Sequence, residues 1–295
     1  MNPMAGTEAP LCLPPLPPVH RTDRRLPEGT CDTHFHIFEP IDRYRLDPKR
    51  GYTPSIVGTA EYRAVMQATG IERAVAVQPS VYGFDNRVLF DALAEMPETL
   101  RGVAVMRPDV SDADLQRAHR LGVRAIRINA RNPAGMTLAD IKPVAKRIAD
   151  LGWHIQFQIE SDQIGDVATA LADFPIAFVI DHFGFPNPEA GPDAWSFRAL
   201  VDLAESGRCW VKLSAAYRIA LDRDYAALAP FVARLVQNAP EALLWALDWP
   251  HTECFDTVPD DNSLVDLVWD WFPTPELRRI VLCDNPARLY WSAAS

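Results

Sequence analysis

A (β/α)8 barrel is the fold this sequence predicts, and three observations carry the prediction. Short aliphatic or β-branched runs recur eight times between residues 30 and 247. Longer amphipathic segments separate them. The turn after the first run, "THFHIFEP", holds no glycine, which argues against an open doubly wound sheet with its Gly-rich phosphate turn. Eight strand–helix alternations over ~260 residues match the pattern and size of one barrel. The 295-residue chain is therefore read as a Pro-rich arm over 1–28 and one barrel over 29–295.

The runs, in order, are 30–35 "TCDTHF", 74–78 "AVAVQ", 102–106 "GVAVM", 124–128 "RAIRI", 154–159 "HIQFQI", 176–180 "IAFVI", 209–213 "CWVKL" and 243–247 "LLWAL". Most are near-continuously apolar, as strands covered on both faces should be. Helical patterns lie between them at 112–121, 138–151 and 162–173. Ser111 is placed to cap the first of these and Gly122 to stop it. The stretch 36–60 between the first strand and its helix is too long for a turn, and long insertions at that end of a barrel are lids or binding loops.

Bulk composition narrows the function. Hydrophobic residues make up 48 % and charged residues 23 %, ordinary for a globular protein. A net charge of −10 without any basic run excludes nucleic acid and anionic membrane surfaces as expected partners. The cysteines, Cys12, Cys31, Cys209, Cys254 and Cys283, are odd in number and widely spaced, which reads as free thiols in a reducing, cytoplasmic setting. No apolar run approaches the ~20 residues of a membrane span. Prolines break the only apolar part of the N-terminal arm, so it reads as an extended surface segment, a reach toward a neighbouring subunit or a loose tail, not a signal peptide.

Chemistry in a barrel sits at the C-terminal ends of its strands. There the sequence places His34 and His36 (strand one), Ser80 (two), Arg127, Asn129 and Arg131 (four), and Gln158 and Glu160 (five). Asp181 and His182 follow strand six, Ser214, Tyr217 and Arg218 strand seven, and Asp248 and His251 strand eight. Side chains two apart on a strand share a face, so His34 and His36 both look into the mouth. One histidine at a strand end is ordinary. Three histidines and an aspartate after strands one, six and eight form a candidate site. His154 starts strand five, and His20 and His119 lie in the arm and on a helix, so these three are read as structural. Lys212 is expected to be packed or paired within the wall, and Asp181 to orient a neighbour or cap its loop.

HxH after strand one, His after strand six and Asp after strand eight resemble the amidohydrolase superfamily. Closer in, "CDTHFHIF", "QPSVYGFDN", "AIRIN", "VIDHFG", "KLSAAYR", "DWPH" and "DNPARLYW" resemble its 2-pyrone-4,6-dicarboxylate hydrolase group, in the right order across nearly the whole chain from residue 29. The metal-dependent members also carry a His after strand five, and a Lys or Glu after strand four when two metals are bound. Here Gln158 and Arg127 stand at those places. The resemblance therefore implies chemistry without a metal. If a single Zn²⁺ is bound, its ligands would be His34, His36, His182 and Asp248. A fixed guanidinium at Arg127 opposes a divalent ion and suits a carboxylate.

The resemblance implies a lactonase, a hydrolase acting on a cyclic ester that carries a carboxylate, such as 2-pyrone-4,6-dicarboxylate or a muconolactone. Asp248 activates water. His34, His36 and His182 polarise the lactone carbonyl. Arg127 and Arg218, with Ser80 and Tyr52, bind a substrate carboxylate, and Tyr52 comes from the long segment. Arg131 lies about two positions from the family's further arginine, and Gln158 stands where the group has a tyrosine, so the second acid group stays open. A monocarboxylate, a sulfonate or a sugar-derived lactone remains in range. Members that isomerise lactones carry Asn where Asp248 stands, so Asp favours hydrolysis. The alternatives are a Zn-dependent hydrolase or decarboxylase, a lactone isomerase, or a non-catalytic barrel. The chain is expected to act as a monomer or small homo-oligomer.

Overall fold

The computed structural model describes residues 9–20, 24–132, 134–220 and 225–292. Its eight parallel strands, in spatial order β1 to β8, are β1 Cys31–Phe35, β2 Arg73–Val77, β3 Leu100–Ala104, β4 Val123–Asn129, β5 His154–Gln158, β6 Phe178–Ile180, β7 Cys209–Leu213 and β8 Leu243–Trp245. Each strand pairs with the next in sequence, so every connection must cross over the outside, and helices do so. The last edge meets the first: Phe35 bridges Trp249, and His36 N–H donates to Trp249 O at 2.8 Å. The ring closes where the candidate residues are densest. The barrel is present as the sequence predicted.

All eight predicted strands occur, several with shifted ends. β6 and β8 keep only three residues each, and β4 extends to Asn129. Helix α3 (Asp112–Leu121) matches its prediction: Ser111 Oγ accepts the Asp114 N–H at 3.1 Å, and Gly122 ends the helix at φ 104°. The other two predicted helices are corrected. The segment 138–151 is an α-helix, α4, only over Ile141–Ile148, flanked by 3-10 turns Leu138–Asp140 and Ala149–Leu151. The segment 162–173 keeps α5 over Ile164–Ala170 after the 3-10 turn Ser161–Gln163. Side chains capping their own backbone tighten both starts: Asp140 takes the Thr137 N–H at 2.8 Å and Gln163 the Glu160 N–H at 3.0 Å.

The long segment after β1 is pinched shut by Phe38 and Val57, which exchange backbone hydrogen bonds of 2.9 and 2.8 Å. Of the predicted arm, residues 1–8 and 21–23 lie outside the described residues. Residues 9–20 cross the barrel mouth: Cys12 N–H donates to Thr53 O at 2.8 Å and Leu13 N–H to Cys254 O at 2.9 Å. The hydrophobic C-terminal stretch turns inward at Tyr290, which is fully buried, and its residues 293–295 lie outside the described residues. All five cysteines are free and buried. Among the described residues no helix is long and apolar enough to cross a membrane.

Candidate active site

Strand period decides which side chains enter the barrel. In β5 the polar residues His154, Gln156 and Gln158 alternate with apolar Ile155 and Phe157, all buried. Apolar positions pack outward on the helices and polar ones inward. By the same rule Arg127 of β4, Lys212 of β7, Ser214 after β7 and Asp181 after β6 point in. The floor is thus a buried polar network. Lys212 Nζ donates to Thr33 O and to Gln156 Oε1, each at 2.7 Å, and Gln156 Nε2 donates to Asp181 Oδ2 at 3.1 Å. Burial lowers Lys212 to about 8, the nearby Asp181 carboxylate acting against that fall. Lys212 is therefore paired, as expected, but inside the barrel.

Above this floor four groups converge. Asp248 Oδ1 lies 3.7 Å from His34 Nε2, 3.9 Å from His36 Nε2 and 4.0 Å from His182 Nε2. All four side chains are buried. Among the described residues His34 Nε2, His182 Nε2 and Asp248 Oδ1 have no hydrogen-bond partner, which marks the space between them for a ligand. Asp248 Oδ2 accepts the Tyr217 hydroxyl at 2.8 Å, so Tyr217 fixes which oxygen faces the pocket. Burial raises Asp248 to about 6, with Arg218 and the Tyr217 hydroxyl opposing the rise. Burial and the Arg127 charge lower His36 to about 3. Burial and Lys212 drive His34 well below its ordinary value, and burial does the same to His182. Near neutral pH the site holds three neutral imidazoles and one carboxylate.

The loops that carry these groups are strained. His182, Phe183, Phe185, Asp248, His251 and Glu253 all have positive φ, between 48° and 65°. Each such residue costs on the order of 1–3 kcal/mol, held in place by the surrounding structure. Short backbone bonds do this here: Asp248 N–H to His34 O at 3.0 Å, His251 N–H to Asp248 O at 2.9 Å, and Phe185 N–H to His182 O at 2.8 Å. His251 is tied down further by Asp261 Oδ1, 2.7 Å from its Nε2.

Second contacts bear on what each imidazole offers and fix it for His36. His36 Nδ1 lies 2.7 Å from Val77 O. A carbonyl only accepts, so the His36 proton sits on Nδ1 and Nε2 presents a lone pair to the pocket. With Nδ1 protonated, neutral His36 offers Nε2 as an acceptor and not as a donor to a carbonyl oxygen. The other two keep a choice. His182 Nδ1 is 2.8 Å from Ser214 Oγ, a group that donates or accepts. His34 Nδ1 lies 3.3 Å from Asp181 Oδ1 and 3.5 Å from Lys212 Nζ, so donation from Lys212 leaves the proton on Nε2.

The other expected residues divide by depth. Arg127, Gln158, Ser80 and Tyr52 are buried around the pocket. The Arg127 guanidinium donates to Gln158 Oε1 and to Gln78 O at 3.2 Å, and lies 3.6 Å from Asp181 Oδ2. Gln158 thus holds Arg127 through its oxygen. Ser80 opens a 3-10 turn, Ser80–Tyr82, after β2. Tyr52, from the long segment, stands edge-on to Phe38 at 6.4 Å. Arg131 and Arg218 are at the rim, with Cζ atoms 3.7 and 5.5 Å from the Phe185 ring. Arg131 pairs with Glu160 at 2.9 Å and Arg218 with Glu253. Arg218, Tyr217, Phe185 and Glu253 line a mouth cavity of about 910 Å³. The histidines read as structural stand apart: His154 packs against Tyr290, His119 Nδ1 lies 3.0 Å from the Trp153 indole nitrogen, and His20 is exposed in the arm.

Gln156, Phe185 and Glu253 were not singled out in the sequence, Tyr217 was placed after strand seven without a role, and Asp181, which touches His34, Arg127 and Lys212, was given only an orienting or capping one. The polar alternation in "HIQFQ" could have found Gln156.

Barrel, closing strand pair and convergent His–His–His–Asp set define a class, and comparison with known proteins gives the family. The amidohydrolase family model matches residues 31–291, so the chain belongs to that family. It is 35 % identical to a 2-pyrone-4,6-dicarboxylate hydrolase of Comamonas testosteroni over 279 residues, covering 90 % of this chain and 92 % of the relative. It is 34 % identical over 300 residues to a 4-sulfomuconolactone hydrolase of Hydrogenophaga intermedia, covering 100 % of this chain and 99 % of the relative. A solved structure from Pseudomonas putida, described as a 2-pyrone-4,6-dicarboxylic acid hydrolase, superposes with a TM-score of 0.80 at 31 % identity, covering 90 % of this chain and 98 % of that one. A zinc-bound amidohydrolase of Burkholderia multivorans shares the fold, with a TM-score of 0.72 at 19 % identity over 90 % of this chain and 99 % of that one.

Three of these groups fit one such ion: His34, His36 and Asp248 offer ligand atoms that all lie within 4.8 Å of one another, while His182 groups instead with His34 and Asp181. Tetrahedral zinc with bonds of ~2.0–2.1 Å asks for ligand atoms ~3.3 Å apart. The 3.7 and 3.9 Å from Asp248 Oδ1 to His34 Nε2 and His36 Nε2 need only a small closure. The His36 lone pair is already presented, with its other nitrogen fixed by a carbonyl as a metal-bound histidine requires.

Proposed function

We propose that this chain is a lactonase that opens an anionic lactone by water attack, with Asp248 as general base. The observation that carries the reading is the Asp248 carboxylate itself: Oδ2 anchored by Tyr217 and Oδ1 unpartnered among three neutral imidazoles. A lactone is an activated ester, so its hydrolysis needs a base for water and donors for the developing oxyanion. Asp248 Oδ1 and the His36 Nε2 lone pair both accept, so together they hold the attacking water. His34, whose Nδ1 accepts from Lys212, and His182, whose Nδ1 accepts from Ser214, keep their protons on Nε2 and present Nε2–H to the carbonyl oxygen. As water attacks, its proton passes to Asp248 and charge grows on the oxygen facing His34 and His182. The carbonyl then re-forms, the ring C–O bond breaks, and the leaving oxygen takes the proton from Asp248, which restores the base.

Arg127 binds the substrate carboxylate from below, pre-aimed by Gln158 and Gln78, with Ser80 and Tyr52 closing round it. Arg218 takes an acid group nearer the rim. Arg131 is paired with Glu160 and 30 % exposed, so it contributes charge to the entrance. The names of the relatives, one a dicarboxylate hydrolase and one a sulfomuconolactone hydrolase, support a small anionic lactone as substrate. Free buried thiols support a reducing, cytoplasmic setting. The reading is metal-free, because Arg127 and Lys212 already place two cations beside the histidines.

The His36 lone pair favours a second reading, in which His34, His36, His182 and Asp248 hold Zn²⁺. Bound there, the ion would act as a Lewis acid toward the lactone carbonyl. Purified protein incubated with 2-pyrone-4,6-dicarboxylate and with muconolactones, with the product followed by mass, tests the function. Addition of one water with ring opening is expected. Conversion without a mass change would establish an isomerase, and loss of carbon dioxide a decarboxylase.

A further inference from the structure

We propose that Glu253 is a resident carboxylate on Arg218 which a substrate acid group must displace, making Glu253 a specificity-determining residue. This rests on the lactonase reading for the kind of group that arrives. Among the described residues Glu253 is the acid paired with the Arg218 guanidinium. The two partners differ in freedom. The Arg218 side chain is 14 % exposed and lies against the Phe185 ring, 5.5 Å from Cζ to centroid. The Glu253 side chain is 38 % exposed. Its backbone is fixed at φ 64°, with the N–H donated to Cys12 Sγ at 3.4 Å, so only the side chain has room to leave.

Arg218 shares the mouth cavity with Tyr217, and Tyr217 bonds Asp248, so an anion on Arg218 sits one residue from the general base. Two carboxylates on one guanidinium repel each other, so an arriving acid drives Glu253 outward into water. The exchange leaves Arg218 with one anion throughout. A neutral lactone offers no replacement and finds Arg218 already satisfied. The intramolecular pair competes with an effective concentration in the millimolar range, which weakens binding of every acid ligand.

The test is calorimetric binding of isophthalate, a flat dicarboxylate with the same one-three spacing of acids as 2-pyrone-4,6-dicarboxylate, to the wild type and to Glu253→Gln. The expected result is about tenfold tighter binding in the variant, abolished when Arg218→Met is added. Turnover of a carboxylated lactone should show KM lowered about tenfold and kcat within a factor of about two. Unchanged or weaker binding of isophthalate by a variant with wild-type melting would overturn the proposal. Tighter isophthalate binding without turnover of any lactone by either protein would refute the lactonase reading and leave the displacement intact.

Discussion

Changing Asp248 to Asn removes one charge from the centre of the site and keeps its shape. The amide oxygen can still accept the Tyr217 hydroxyl, now 2.8 Å from Oδ2, and the amide nitrogen then points at the His36 lone pair where Oδ1 stood. General-base catalysis is worth ~10²–10⁴ in rate, so kcat should fall about 10³-fold, or ~4 kcal/mol. Stability should move the other way. Burial raises the Asp248 pKa from 3.8 to about 6, so the ionised side chain costs on the order of 3 kcal/mol of stability. Because the folded pKa lies above the unfolded one, that cost grows as pH rises from 3.8 to about 6 and is complete above it. Asn escapes it. Thermal melts at pH 8 should therefore show the variant at least as stable as the wild type, the difference fading toward pH 4. Calorimetric affinity for isophthalate should stay within about threefold. Near-wild-type turnover would remove Asp248 as base. Lost turnover with a lowered melting temperature at pH 8 would show that a damaged fold, not a missing base, explains the loss.

Two other predictions follow from the same geometry. Asp248 must be ionised to accept a proton and is raised to about 6, so kcat/KM should climb with pH up to about that value and level off above it. A profile that is flat from pH 4.5 to 7.5 would contradict this. Arg127→Met removes a buried guanidinium aimed by Gln158 and Gln78. Charged hydrogen bonds are worth ~1.5–3 kcal/mol, so KM for a carboxylated lactone should rise about 10–100-fold, with an uncarboxylated lactone much less affected. An equal effect on both substrates would exclude the contact.

The barrel was legible because its strands are apolar and its first turn lacks glycine. His34, His36, His182 and Asp248 were legible because strand ends are where barrels place chemistry. Three things were hidden. Asp181 follows β6 and Lys212 stands on the neighbouring β7, 3.8 Å apart, but the two are far apart in sequence and no local pattern announces such a pair. The loops after β6 and β8 hold non-glycine residues at positive φ, so residue type gives no warning of their shape. The role of His36 depends on one carbonyl, Val77 O, 41 residues away in sequence. Helix ends were misjudged where Asp140 and Gln163 turn back on their own backbone.

Metal analysis coupled to turnover shows whether protein groups alone open the lactone. The protein would be dialysed against a strong chelator, its zinc content measured, and its activity on 2-pyrone-4,6-dicarboxylate followed before dialysis, after it, and after zinc is restored. The account predicts the same turnover in all three states, with less than one-tenth of a zinc per chain after dialysis. Activity that disappears with the chelator and returns with one equivalent of zinc would contradict it and assign His34, His36, His182 and Asp248 to the metal.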